Sequence, residues 1–153
     1  MYNLLLLRKG FIMLNTILEA AKNFCVHQIQ TDYTIKQTIS KMSTFIAYID
    51  IDTNTNQKYR VYIAADKNFI QKVATLFLDE ACCDDDTLMD MALETANLIV
   101  GSAKVLAEAG DMPYTINTPC FEKIGTFDFA YDQALSIIAG TDELIIAIKE
   151  LNG

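Results

Sequence analysis

The sequence predicts an α+β domain, a two-layer sandwich with long helices packed on one face of a mostly antiparallel sheet. Three observations carry this. Apolar residues recur at helical spacing over Leu14–Cys25, Phe69–Phe77 and Leu88–Leu106. Strand-like runs lie between the first two of these stripes and again after the third, several of them joined by short polar loops of the kind that link antiparallel neighbours. Each stripe is apolar on one side only, so each helix needs a sheet or another helix to cover it. The 153 residues, 52% of them hydrophobic, are enough for a single domain with a real core and exclude a disordered tail.

Met1–Met13 opens with Leu4-Leu5-Leu6-Leu7 and then Arg8-Lys9-Gly10. The apolar run is too short to span a bilayer, and its basic residues follow it rather than precede it, which fits neither an anchor nor a signal peptide. Residues 1–13 are therefore read as an N-terminal extension outside the core, with Met13 a candidate natural start, and residues 14–153 as the single domain.

Leu14, Ile17, Leu18, Ala21, Phe24 and Cys25 form the first stripe, and Thr16-x-x-Glu19 has the form of a capping box, predicting a helix from Thr16 to about Gln30. Tyr33–Ile39 alternates weakly, as an edge strand would. Met42–Asp52 and Gln57–Ala65 read as strands of a hairpin joined by the polar Asp52–Asn56 loop. Asp66 caps the next helix, whose buried stripe is Phe69, Ile70, Val73, Ala74 and Phe77. The acidic connection Leu78–Asp86 ends in Asp84-Asp85-Asp86, which suits helix capping better than a metal site, because no octahedral or EF-hand spacing accompanies it.

The third stripe belongs to a long amphipathic helix that ends at the Gly110-Asp-Met-Pro113 break. At about 100° per residue, Asp90, Glu94, Asn97, Gly101, Lys104 and Glu108 fall within about a quarter turn. Leu88, Ala92, Ile99, Ala103 and Leu106 lie opposite. Gly101 is in mid-helix, where glycine costs about 1 kcal/mol relative to alanine. Beside an amide and a carboxylate it leaves a notch into which another molecule could press. Spacing alone favours the plainer reading, a solvated face with a tolerated glycine, because Glu and Asn are commonplace on exposed helices. Beyond this helix, Tyr114–Thr118 and Gly125–Tyr131 are short strand candidates, and Ala134–Ala139 with Glu143–Glu150 form a closing hairpin around Gly140-Thr-Asp142.

Net charge is −8, and no Lys/Arg cluster occurs, which argues against nucleic acid and anionic membrane as partners and favours one with a basic rim. Cys25, Cys82, Cys83 and Cys120 include no CxxC pair and His27 is the single histidine, so no metal-ligand set is assigned. The adjacent Cys82 and Cys83 read as reduced thiols of a cytoplasmic protein rather than a disulfide framework.

The pattern Glu94-x-x-Asn97-x-x-x-Gly101, followed by Ser102-Ala103-Lys104, resembles the signature of the CheC/CheX family of chemotaxis phosphatases, nearest its CheX branch. The preceding strand, helix and acidic loop, and the following Tyr114–Pro119, come in the family's order, over roughly Leu14–Glu150. One copy of the signature occurs, as in CheX-like members, where CheC-like members tend to carry two. The resemblance implies the same two-layer fold and a phosphatase acting on the aspartyl phosphate of a CheY-type response regulator. It implies Asn97 as the residue that positions the attacking water and Glu94 as the one that engages the regulator's lysine. Asp90, Gly101 and Lys104 would contact the partner. It implies no cofactor in this chain, a Mg2+ ion on the regulator, and a homodimer formed through the sheets. Ser102 departs from the pattern, where relatives often have a second Asn. A non-catalytic module that docks a regulator or sits in a flagellar switch is the alternative within the same fold, and a generic α+β dimer the alternative outside it.

Overall fold

The computed structural model describes residues 4–152, with side chains described from residue 9 onward. Helix α1 spans Leu4–Asn23 and continues into a π-helical turn, Phe24–Ile29. Gln30 ends it in the left-handed conformation, at φ 59°, where the sequence places the helix end. The start differs. Thr16 lies inside the helix, its hydroxyl donating back to the Ile12 carbonyl at 2.9 Å instead of capping. Met13 is fully buried in the core, because the apolar stripe extends one turn further toward the N-terminus than the Thr16 signal suggests. Residues 1–3 of the segment set apart as an extension, and the side chains of Leu4–Arg8, lie outside what is described.

Strands β1 (Tyr33–Lys36), β2 (Ser43–Thr53) and β3 (Lys58–Ala65) follow, then helices α2 (Lys67–Leu78) and α3 (Asp85–Ala109). Strands β4 (Tyr114–Ile116), β5 (Cys120–Thr126), β6 (Gln133–Ala139) and β7 (Asp142–Glu150) complete the chain. All pairings are antiparallel, in the order β1-β6-β7-β3-β2. On the far side of β2, β4 pairs with its end at Ile51–Thr53 and β5 with its start at Ser43–Tyr48. The chain is thus α+β with a seven-stranded sheet, as the sequence predicts.

Alternation along the strands puts Phe45, Ala47, Ile49 and Ile51 of β2, Val61 and Ile63 of β3, and Leu144, Ile146 and Ile148 of β7 into one core with the buried sides of the helices. The opposite face holds a smaller cluster of Ile46, Tyr62, Ala64, Ile145 and Ala147. Here the sequence reading of Gly125–Tyr131 as a strand is corrected. The strand is Cys120–Thr126, and the chain beyond it lays Phe127 and Phe129 across this second face. Phe129 stacks on Tyr62 with ring centroids 5.2 Å apart. Alternating aromatics there cover a sheet instead of extending one. Two stripe residues also differ, since Phe77 (46%) and Leu106 (38%) are exposed near the ends of their helices.

Candidate functional site

Local chemistry sets helix α3. Asp84 is its N-cap, accepting from the Thr87 N–H at 2.8 Å, and that bond holds its carboxyl below the usual value. Asp85 and Asp86 occupy the first turn, where the helix dipole favours anions. Leu88, Ala92, Ala96, Ile99 and Ala103 bury one side against the sheet and α1. Gly110 terminates the helix, and Asp111 turns the chain at φ 61° toward β4.

The other side of α3 gathers the residues singled out by sequence. Asp90, Glu94 and Asn97 are exposed, and Gly101 and Lys104 are half-buried. Helix rise separates Glu94 from Asn97 by about 4.5 Å along the axis, and Asn97 from Gly101 by about 6 Å. None of the side chains of Asp90, Glu94, Asn97 and Lys104 forms a hydrogen bond or ion pair with another described residue. A Cβ added at Gly101 would meet nothing within 4 Å, so the notch opens onto free space. An unengaged amide beside an unengaged carboxylate can offer an acceptor, a non-titrating donor and a negative charge to an incoming surface.

The buried carboxylates elsewhere in the fold are engaged in structural contacts. Asp66, Asp142 and Glu143 are buried carboxylates where α2 and β7 begin. Asp66 accepts from the backbone of Phe69 and of Glu143, Lys72 pairs with Asp142 at 2.5 Å, and the Ser40 hydroxyl donates to Glu143. These bonds tie elements together, and apart from the Asp66 cap nothing in the sequence pattern signals them. Among the described residues no group of three or more His, Cys, Asp or Glu side chains is placed to hold a metal ion. His27 is exposed on the π-helical turn, outside α3. Burial pushes the Cys25 thiol up to about 11, away from thiolate chemistry. No helix among the described residues is long and apolar enough to cross a membrane.

One feature behind the site escapes sequence reading. Tyr114, at the start of β4, is buried, and its hydroxyl donates to the Val100 carbonyl of α3 at 2.7 Å.

Comparison with known proteins agrees with this architecture. The family described as "Chemotaxis phosphatase CheX" matches residues 45–139, a span that includes all of α3 and the Glu94–Lys104 face. Among solved structures, a chemotactic CheC-like protein from Shewanella oneidensis superposes with a TM-score of 0.73 at 15% identity, covering 90% of this chain and 96% of that one. CheX from Vibrio vulnificus gives 0.71 at 15% identity, covering 91% and 99%. CheX in a CheX–CheY–BeF3–Mg2+ complex from Borrelia burgdorferi gives 0.62 at 17% identity, covering 88% and 96%. At these identities the superpositions show a shared fold. No curated protein matches the chain in sequence.

Proposed function

The chain belongs to the chemotaxis phosphatase CheX family, and on that premise we propose that it hydrolyses the aspartyl phosphate of a CheY-type response regulator. The observation that carries this reading is the exposed, unbonded pair Glu94 and Asn97 beside the open notch at Gly101. The Borrelia burgdorferi CheX, of the same fold, has been seen in complex with CheY, BeF3 and Mg2+, which supports a regulator as the partner here.

In this reading α3 docks over the regulator's phosphorylated pocket, and Gly101 lets the two surfaces approach closely. The amide of Asn97 accepts a hydrogen bond from a water and holds it in line with the phosphorus. The water oxygen forms a bond to phosphorus while the bond to the aspartyl oxygen breaks. Inorganic phosphate leaves and the regulator's carboxylate is restored. Glu94 pairs with the regulator's lysine and so fixes the register of the helix. Asp90 and Lys104 contact the rim. The Mg2+ that supports this chemistry comes with the regulator, and no nucleophile from this chain is required. An acceleration of about 100-fold needs about 2.7 kcal/mol of transition-state stabilisation. Orientation of one water can supply that. We also assign the chain to the cytoplasm, where such regulators act, and to a homodimer formed through its sheets.

The test is to phosphorylate a CheY-type regulator with a small phosphodonor and follow phosphate loss with wild type, Asn97→Ala and Glu94→Ala. Asn97→Ala removes the acceleration while binding persists, and Glu94→Ala weakens both. Equal decay with and without wild-type protein, alongside measurable binding, would instead assign a docking module.

A further inference from the structure

We infer that Tyr114 is a positioning residue of this site: its hydroxyl anchors α3 to the sheet at Val100, immediately before the glycine that weakens the helix. This rests on the phosphatase reading for its functional consequence and on geometry for the anchor itself.

Gly101 opens the notch, but a glycine in a helix interior frees the backbone and lowers helix stability relative to alanine. No neighbouring atom within 4 Å of its missing Cβ restrains that point from the open side. The restraint comes from behind. Tyr114 is 3% exposed, and its hydroxyl donates to the Val100 carbonyl at 2.7 Å. That carbonyl is also the helical acceptor for the Lys104 N–H, so the bond lands on the turn that spans Gly101. Burial raises the phenol's pKa, which keeps the donor proton in place. The anchor point is firm, because Tyr114 pairs with Thr53 across β4 and β2. Thr95, a buried hydroxyl of α3 itself, donates to the Met91 carbonyl within the same helix and ties it to no other element. The Tyr114 bond therefore holds Lys104 and the end of the notch in fixed relation to Asn97. A misplacement of about 1 Å at such a site costs on the order of 100-fold in rate.

The experiment compares wild type, Tyr114→Phe, and Tyr114→Phe combined with Gly101→Ala, in the full chain. Phenylalanine keeps the buried ring and removes only the bond. Amide exchange at residues 101–105 should speed up about 5-fold in Tyr114→Phe, the size expected for one lost hydrogen bond, and return toward wild type in the double variant. On the phosphorylated regulator, kcat should fall about 10-fold with KM within 2-fold. Exchange at 101–105 unchanged in Tyr114→Phe, or not restored by Gly101→Ala, overturns the anchor. Wild-type activity that Tyr114→Phe leaves intact overturns the positioning role alone. Absence of wild-type activity overturns the phosphatase reading, and exchange then shows whether the anchor exists without it.

Discussion

Glu94 and Asn97 lie three residues apart on the exposed side of α3, with neither side chain bonded to any other described residue. Stability and activity should therefore separate cleanly. Alanine at either position removes no hydrogen bond or ion pair to a described residue and is a better helix former, so the folding free energy should stay within about 0.5 kcal/mol of wild type. Phosphatase rate should nevertheless fall about 100-fold in Asn97→Ala, the equivalent of the 2.7 kcal/mol assigned to water positioning. Denaturant midpoints measured beside single-turnover dephosphorylation check both halves. A rate loss accompanied by an equal loss of stability would make Asn97 a structural residue instead.

Gly101→Ala should move stability and binding in opposite directions. The new methyl meets no atom within 4 Å, so only the helix-propensity gain of about 1 kcal/mol remains, and the protein becomes more stable. The same methyl projects into the notch that the regulator is proposed to occupy, and affinity for the phosphorylated regulator should fall, by titration, about 10-fold. Stabilisation with unaltered affinity would show that the notch lies outside the contact.

Much of this was legible beforehand because periodicity reports burial directly. The buried side of α3, the Asp66 cap and the hairpins β2–β3 and β6–β7 all follow from patterns that each residue obeys locally. The open face of α3 was readable for the same reason. What escaped depended on distant contacts. Phe127, Phe129 and Tyr131 alternate as a strand would, yet tertiary packing lays Phe127 and Phe129 over the second face and leaves Tyr131 exposed. Thr16-x-x-Glu19 has the letters of a capping box, but the apolar stripe already runs through it at Met13 and Leu14. Tyr114 is remote in sequence from Asn97, and no spacing rule predicts a bond between a strand hydroxyl and a helix carbonyl.

Asp66 should prove one of the most sensitive polar residues in the fold. One carboxylate oxygen accepts from the Phe69 N–H that opens α2, and the other accepts from the Glu143 N–H at the start of β7, both at 2.9 Å. Asp66→Ala loses a helix cap and leaves a buried N–H on β7 without a partner, together about 2–4 kcal/mol. Asp66→Asn keeps one acceptor oxygen and should cost roughly half as much. Chemical denaturation of the two variants tests the order. Equal losses would mean that only one of the two bonds contributes.

Alkaline pH supplies a test of the core that the surface carboxylates cannot mimic. Burial pushes the Tyr59 phenol up to about 12 and that of Tyr114 higher still. Both hydroxyls are spent as donors, to Gln57 and to Val100. An unfolded tyrosine ionises near pH 10. Below that pH both states hold the proton, and the stability from these groups is fully present. Above it the unfolded chain ionises while the fold stays neutral, so stability falls as pH rises from about 10 toward 12. Each tyrosine contributes a slope of at most about 1.4 kcal/mol per pH unit in that window. Denaturant midpoints across the window, read beside tyrosinate absorbance, should show the decline. Tyr114→Phe should flatten it by the share of one proton while leaving the midpoint near neutrality lowered only by the lost hydrogen bond, about 1 kcal/mol. An identical pH slope in wild type and Tyr114→Phe would place the Tyr114 hydroxyl in water rather than against α3.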